Sequence, residues 1–98
     1  MKKTFLVISE RSRERGRVSF YIAEIQPNVG LRHIDNDSTC SSGSNKGIIN
    51  EAIAILIKNK ELPEIALDYR GYANLGYTDY ILIHCEGTKL VYINQFKP

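Results

Sequence analysis

Four arginines, Arg11, Arg13, Arg15 and Arg17, recur at every second position of a charged stretch near the start of the chain. In an extended backbone that spacing projects all four from one side, with Glu10, Ser12 and Glu14 on the other. A guanidinium grips an oxyanion through a planar fork of donors, so such a comb suits a phosphate backbone or an acidic protein groove. A second concentration of chemistry lies in YRGYANLGYTDY, where Tyr69, Arg70, Tyr72, Tyr77 and Tyr80 are interspersed with Gly71, Asn74 and Gly76. Rigid amphipathic rings beside adaptable hydrogen-bonding groups make a recognition-loop composition, and the rings could also stack on exposed bases. Each cluster has a plainer reading: a self-neutralised hairpin tip for the arginines, a closed core edge for the tyrosines.

Other groupings are weaker. Ser42, Gly43, Ser44, Asn45 and Lys46 open a helix, so their backbone amides could hold a phosphate or carboxylate, although ordinary helix capping accounts for the same residues. The spacing is not that of a Gly-x-x-x-x-Gly-Lys-Ser/Thr nucleotide loop. His33, Asp35 and Asp37 offer three metal-ligating groups along one side of an extended segment, but no fourth ligand is fixed beside them. His84 and Cys85 are adjacent in a predicted strand and point to opposite faces, so they cannot act as a nucleophile and its base. Pairing Cys40 with His84 would need a tertiary coincidence. No catalytic residue, metal ligand or cofactor is assigned.

The elements that must carry these groups fit into one domain spanning the 98 residues. A chain of this length should bury roughly 60–65% of its unfolded surface, enough for a single core without disulfide or metal. The apolar share of 43% and charged share of 24% are ordinary for a globular protein, which excludes global disorder. The net charge of +2 is unevenly placed: residues 1–17 hold six basic and two acidic groups, leaving the remainder slightly acidic. A basic end on an acidic body suits an oriented, oppositely charged partner. The opening MKKTFLVIS has an apolar run of only four residues before charges resume, too short for a secretion signal. No stretch approaches the ~20 apolar residues of a membrane span. A cytoplasmic protein with reduced Cys40 and Cys85 is expected.

Thr4 to Ser9 reads as a strand and Val18 to Ile25 as its hairpin partner, with Val18, Phe20 and Ile22 on one face and Tyr21, Ala23 and Ile25 on the other. Pro27 and Asn28 stop the second strand. A weak strand over 29–34 is followed by a flexible polar loop, about 35–45. The helix is predicted from about Lys46 to Lys60, with Ile48, Ile49, Ala52, Ile53 and Leu56 on one stripe, widened by Ile55 and Ile57; Pro63 prevents continuation. Ile65, Leu67 and Tyr69 suggest a further strand. Tyr80 to Cys85 and Lys89 to Phe96 flank a type II′ turn, which would set Cys85 opposite Leu90, Ile83 opposite Tyr92 and Ile81 opposite Asn94.

Two family resemblances bear on function. Strands, then SGSNKGIINEAIAILIKNK, then the segment from Glu64 to Tyr69, faintly resemble the opening of the ribonuclease H-like family, in which strand and helix carboxylates hold divalent metal. The resemblance implies roles for Glu51 and Asp68, while the first strand offers Ser9 and Glu10 where that family has Asp, so it implies a degenerate, non-catalytic relative. Asp35-Asn36-Asp37-Ser38-Thr39 is similar to the D-x-D-x-T motif of haloacid-dehalogenase-type phosphatases, whose first Asp is a nucleophile. The polar Leu31-Arg32-His33-Ile34 before it does not match that family's strand, and Asx-turns explain the residues.

The expected architecture is α+β: an antiparallel sheet of about four to six strands, built from two hairpins, with one main helix on one face. Both faces of the predicted strands carry large apolar residues, and one helix covers only one of them. A homodimer or another protein partner is expected on the second face. The expected function is that of a small non-enzymatic adaptor, inhibitor or regulator, suited to bacteria or their phages. A nucleic-acid-binding module using the arginines and tyrosines is the alternative, followed by a degenerate ribonuclease H-like or nucleotide-binding domain.

Overall fold

A computed structural model describes residues 2–11, 17–40, 45–64, 66, 76–86 and 89–96. They form a small α+β domain in the order β1 (Lys2–Arg11), β2 (Arg17–Gln26), β3 (Gly30–Cys40), α1 (Asn45–Lys58), β4 (Thr78–Glu86) and β5 (Lys89–Phe96). The five strands make one sheet in the order β3-β2-β1-β4-β5, and every neighbouring pair is antiparallel. The first strand is therefore the middle one, and both hairpins extend the sheet outward from it.

Alternation in the strands separates two faces. Phe5 and Val7 of β1, Val18, Phe20 and Ile22 of β2, and Ile81, Ile83 and Cys85 of β4 are buried in one cluster with Ile48, Ile49, Ala52, Ile53, Ile55 and Leu56 of α1. The helix buries a stripe ~160° wide, because Ile55 adds a flank to the i, i+3, i+4 pattern that the sequence displays. Leu62 and Ala66 complete the cluster.

Both turns that the chain needs on this side are made with unusual backbone. Val29 N–H donates to Gln26 O at 3.1 Å across Pro27 and Asn28, and Asn28 has φ +65°. Proline followed by a positive-φ Asn is the signature of a type II turn. At the end of α1, Glu61 N–H donates to Leu56 O and Lys60 N–H to Ile57 O, both at 2.9 Å, with Lys60 at φ +60°. This is a Schellman closure with lysine in the position that glycine usually takes.

Three expectations are corrected. The polar segment 35–40 is strand rather than loop: β3 runs to Cys40 and pairs with β2 as far as Arg17. An edge strand needs hydrogen bonds on one side and little apolar surface, so polarity alone did not reveal it as loop or strand. The remainder of that loop, 41–44, lies outside the described residues. Ala66, expected within a strand, instead donates its N–H to Pro63 O at 3.0 Å in a 3₁₀ turn; residues 65 and 67–75 lie outside the described residues. The terminal hairpin keeps Cys85 opposite Leu90, but an irregularity between His84 and Cys85 then shifts the register by one. Ile83 faces Ile93, Ile81 faces Gln95 and Leu82 faces Asn94, so every pairing expected beyond Cys85 is displaced. A single extra residue in one strand suffices for this. The turn residues themselves, 87 and 88, are not among those described.

Candidate functional site

The face of the sheet opposite α1 is the strongest candidate site. Its rows follow from register: Leu6 lies between Ala23 and Leu82, and Ile8 between Tyr21 and Tyr80. Leu6 and Ala23 are buried, while Ile8, Tyr21, Ile25, Tyr80, Leu82 and His84 are half-buried. None of these belongs to the core cluster around the helix. Among the described residues α1 is the one helix, and none of them forms a helix over this face.

The apolar block is bordered by polar groups, uncharged along its sides and with Glu10 at one end. Thr4 Oγ1 lies 3.3 Å from His84 Nδ1 across the β1–β4 pair. Toward β3 the sheet forms an open depression of about 500 Å³, lined by Ile8 and Glu10 of β1, Ser19 and Tyr21 of β2, and Asn36 and Ser38 of β3. The Tyr21 ring contacts the His33 ring, with centroids 5.3 Å apart and planes tilted by 39°. His33 Nε2 lies 2.7 Å from Asn36 Oδ1, which fixes the imidazole at the rim. Burial pushes the His84 imidazole below its ordinary range, because desolvation disfavours the cation.

His33, Asp35 and Asp37 do not share one side of the strand, as a regular extended segment would have placed them. A register shift between Ile22 and Ala23 leaves His33 opposite Ala23 and Asp35 opposite Ile22, on different faces. The two aspartates instead anchor the helix end: Asn59 Nδ2 donates to Asp35 Oδ2 at 2.9 Å, and Lys58 Nζ lies 4.0 Å from Asp37. Beside them Arg32 donates to Glu24 at 2.9 Å and to Glu61 at 2.7 Å, tying β3, β2 and the helix end together. Those two bonds, first to Glu61 and then to Glu24, raise the pKa of Arg32. No group of three His, Cys, Asp or Glu among the described residues is placed to hold a metal ion.

The arginine comb is divided. Arg11 ends β1 opposite Val18, on the helix-covered side, and its Nε is buried. Arg17 starts β2 one residue before Val18, so it belongs to the open face, and it is exposed. Arg13 and Arg15 lie outside the described residues, as do Tyr69, Arg70 and Tyr72. Of the remaining tyrosines, Tyr77 is 72% exposed and its carbonyl accepts the Arg11 N–H at 2.7 Å, whereas Tyr80 sits in the open face beside Ile8. Asn45 and Lys46 form the first turn of α1; Ser42, Gly43 and Ser44 are outside the described residues.

Cys40 and His84 stand at opposite ends of the sheet, separated by β2 and β1, so they form no nucleophile–base pair. Cys85 is a free, buried thiol on the helix side, and burial raises its pKa. Glu51 is exposed on the helix and Ser9 is buried in β1, on the face that Phe20 shares, so the described part of the ribonuclease H-like carboxylate set is not assembled; Asp68 is outside the described residues. The sequence did not single out Asp79, a buried carboxylate registered with Ser9. Its position at the start of an alternating strand was the available signal. No family model matches the chain, and neither the curated proteins nor the solved structures yield a match to it.

Proposed function

We propose that this chain is a small, non-enzymatic binding protein that acts by laying its open sheet face against another protein surface. The observation that carries the reading is the composition of that face. Leu6, Ile8, Tyr21, Ile25, Tyr80 and Leu82 form a contiguous block, half-buried at its edges, with Thr4, Ser19, Asn36, Ser38 and Thr78 around it. Apolar and aromatic groups in the middle with a polar border are the anatomy of a protein interface. The occupant is a second copy of the chain or a different protein that the domain regulates. The same proposal places the domain in the cytoplasm, which the free Cys85 thiol supports.

The division of the arginines weighs against nucleic acid as the partner. Phosphate tracking needs cations along one surface, and Arg11 and Arg17 fall on opposite faces. The test is photo-crosslinking in the cell with an unnatural photoreactive residue at Ser19, in the open face, or at Glu51, on the exposed side of the helix. A discrete protein adduct from position 19 and none from position 51 is expected. Adducts from neither position, or equal adducts from both, would sink the proposal.

A further inference from the structure

The distribution of charge on the open face narrows its occupant. Among the described residues only its two ends are charged. At one end Lys2 is registered opposite Glu86; at the other, Glu10 is registered opposite Ser19, with Arg17 two residues along the same strand. Each end therefore brings charges of opposite sign together, with Lys89 of β5 registered beyond Glu86 in the first row, so the charge among the described residues of the face is close to balanced. The whole middle is uncharged. A strongly acidic or basic partner finds nothing to complement there, whereas an identical surface finds its own match.

We infer that the occupant of the open face is a second copy of this chain, packed sheet against sheet about a two-fold axis that runs along the strands between β1 and β4. This rests on the reading of the open face as a protein-binding surface. An isologous interface must be self-complementary: residue i meets residue j of the copy, and j meets i. An axis between β1 and β4 sets Lys2 over Glu86 of the second copy and Glu86 over its Lys2. It also sets Leu6 over Leu82 and Ile8 over Tyr80, so the apolar block meets itself at the centre. The axis lies within half a strand spacing of the middle of the five-stranded sheet, which keeps the overlap large.

The area is sufficient. With the axis between β1 and β4, four strands of each copy overlap and β3 overhangs. Strands of about nine residues at ~3.3 Å each, across four strands at ~4.8 Å spacing, give ~570 Å² per copy. The total of about 1,100 Å² clears the roughly 1,000 Å² that a specific interface needs, at the lower end of the size range. Aligned sheet packing also tolerates the rotation of roughly 30° that sheet twist imposes, so the pairing needs no flattening of either sheet.

Sedimentation velocity on the whole chain, from about 1 to 200 µM, tests this. The expected result is a reversible shift from the 11.1 kDa chain to twice that mass. Leu82→Arg should remove the dimer while circular dichroism and the melting transition of the monomer are retained. Lys2→Glu and Glu86→Lys should each weaken self-association about tenfold, by placing like charges opposite one another at the interface and removing two rim pairs. An equimolar mixture of the two variants should recover a dimer, because each then meets the opposite charge. A strict monomer at 200 µM overturns the second copy as occupant; a protein adduct from position 19 would in that case leave the binding surface itself standing. A dimer that survives Leu82→Arg overturns the face, and a mixture that fails to recover overturns the axis.

Discussion

Ile83 and Leu82 are neighbours in β4 of nearly equal size, and they separate the two faces of the sheet. Ile83 is completely buried under α1, whereas Leu82 is half-buried on the open side. Truncation to alanine removes three carbons from each. For Ile83, the lost transfer free energy is about 2.4 kcal/mol at ~0.8 kcal/mol per carbon. The cavity left in a packed core raises the total to about 3–4 kcal/mol. For Leu82 only about half of that surface leaves water in the monomer and no closed cavity results, so about 1 kcal/mol is expected. In a domain of this size the Ile83→Ala variant should melt some 12–30 °C lower and Leu82→Ala about 4–8 °C lower. Urea titration at about 1 µM protein, followed by circular dichroism, measures both differences in a dilute monomer. Repeating it at 200 µM adds the dimer: wild type gains stability with concentration, while Leu82→Ala gains less, so its apparent cost rises. Equal costs for the two variants at low concentration would refute the separation of a covered face from an open one.

Two further outcomes follow from local geometry. Lys60 holds φ +60° at the helix end, a conformation that costs a residue with a Cβ about 1–2 kcal/mol, against about 0.5–1 kcal/mol of extra unfolded-state entropy for glycine. Lys60→Gly should therefore stabilise the domain by about 0.5–1 kcal/mol in urea titration while Lys60→Ala does not; a gain of the same size in both would show that charge, and not backbone strain, is responsible. His84 is held below its ordinary value of 6.5 by burial, so the unfolded chain takes up a proton there before the folded one does. Its contribution is complete above about pH 6.5 and is lost as pH falls from there toward the folded value. Melting temperatures at pH 7.5 and 5.5 should diverge more for wild type than for His84→Gln, and identical divergence would remove His84 as the cause.

The parts of this fold that were legible in the sequence are those in which a repeat and a burial pattern coincide. Val18, Phe20 and Ile22 alternate because one side of β2 meets the helix, and Ile48, Ile49, Ala52, Ile53 and Leu56 recur at helical spacing because they meet the same core. Edge strand β3 was not legible beyond Ile34. Its inward positions there are Asp35 and Asp37, polar groups held by Asn59 and Lys58 rather than by apolar contact, so the alternation that marks a half-buried strand is absent. Polar anchoring of this kind depends on where the helix ends, which only the tertiary structure supplies.

Register was the other limit, and it governs how far a site can be read from spacing. Both irregularities lie in the outer pairings, β2 with β3 and β4 with β5, whereas β1 pairs with β2 and β4 in unbroken register. One extra residue reverses the faces of everything beyond it. It parts His33 from Asp35 and Asp37, which removes the metal reading, and it carries His33 to Tyr21, where the imidazole borders the open depression. Candidate residues on the central strand and its two neighbours keep the face that their spacing implies. That is why the apolar rows through Leu6 and Ile8 can be derived by counting, and why they, rather than the arginines and loop tyrosines whose chemistry is more conspicuous, carry the functional reading.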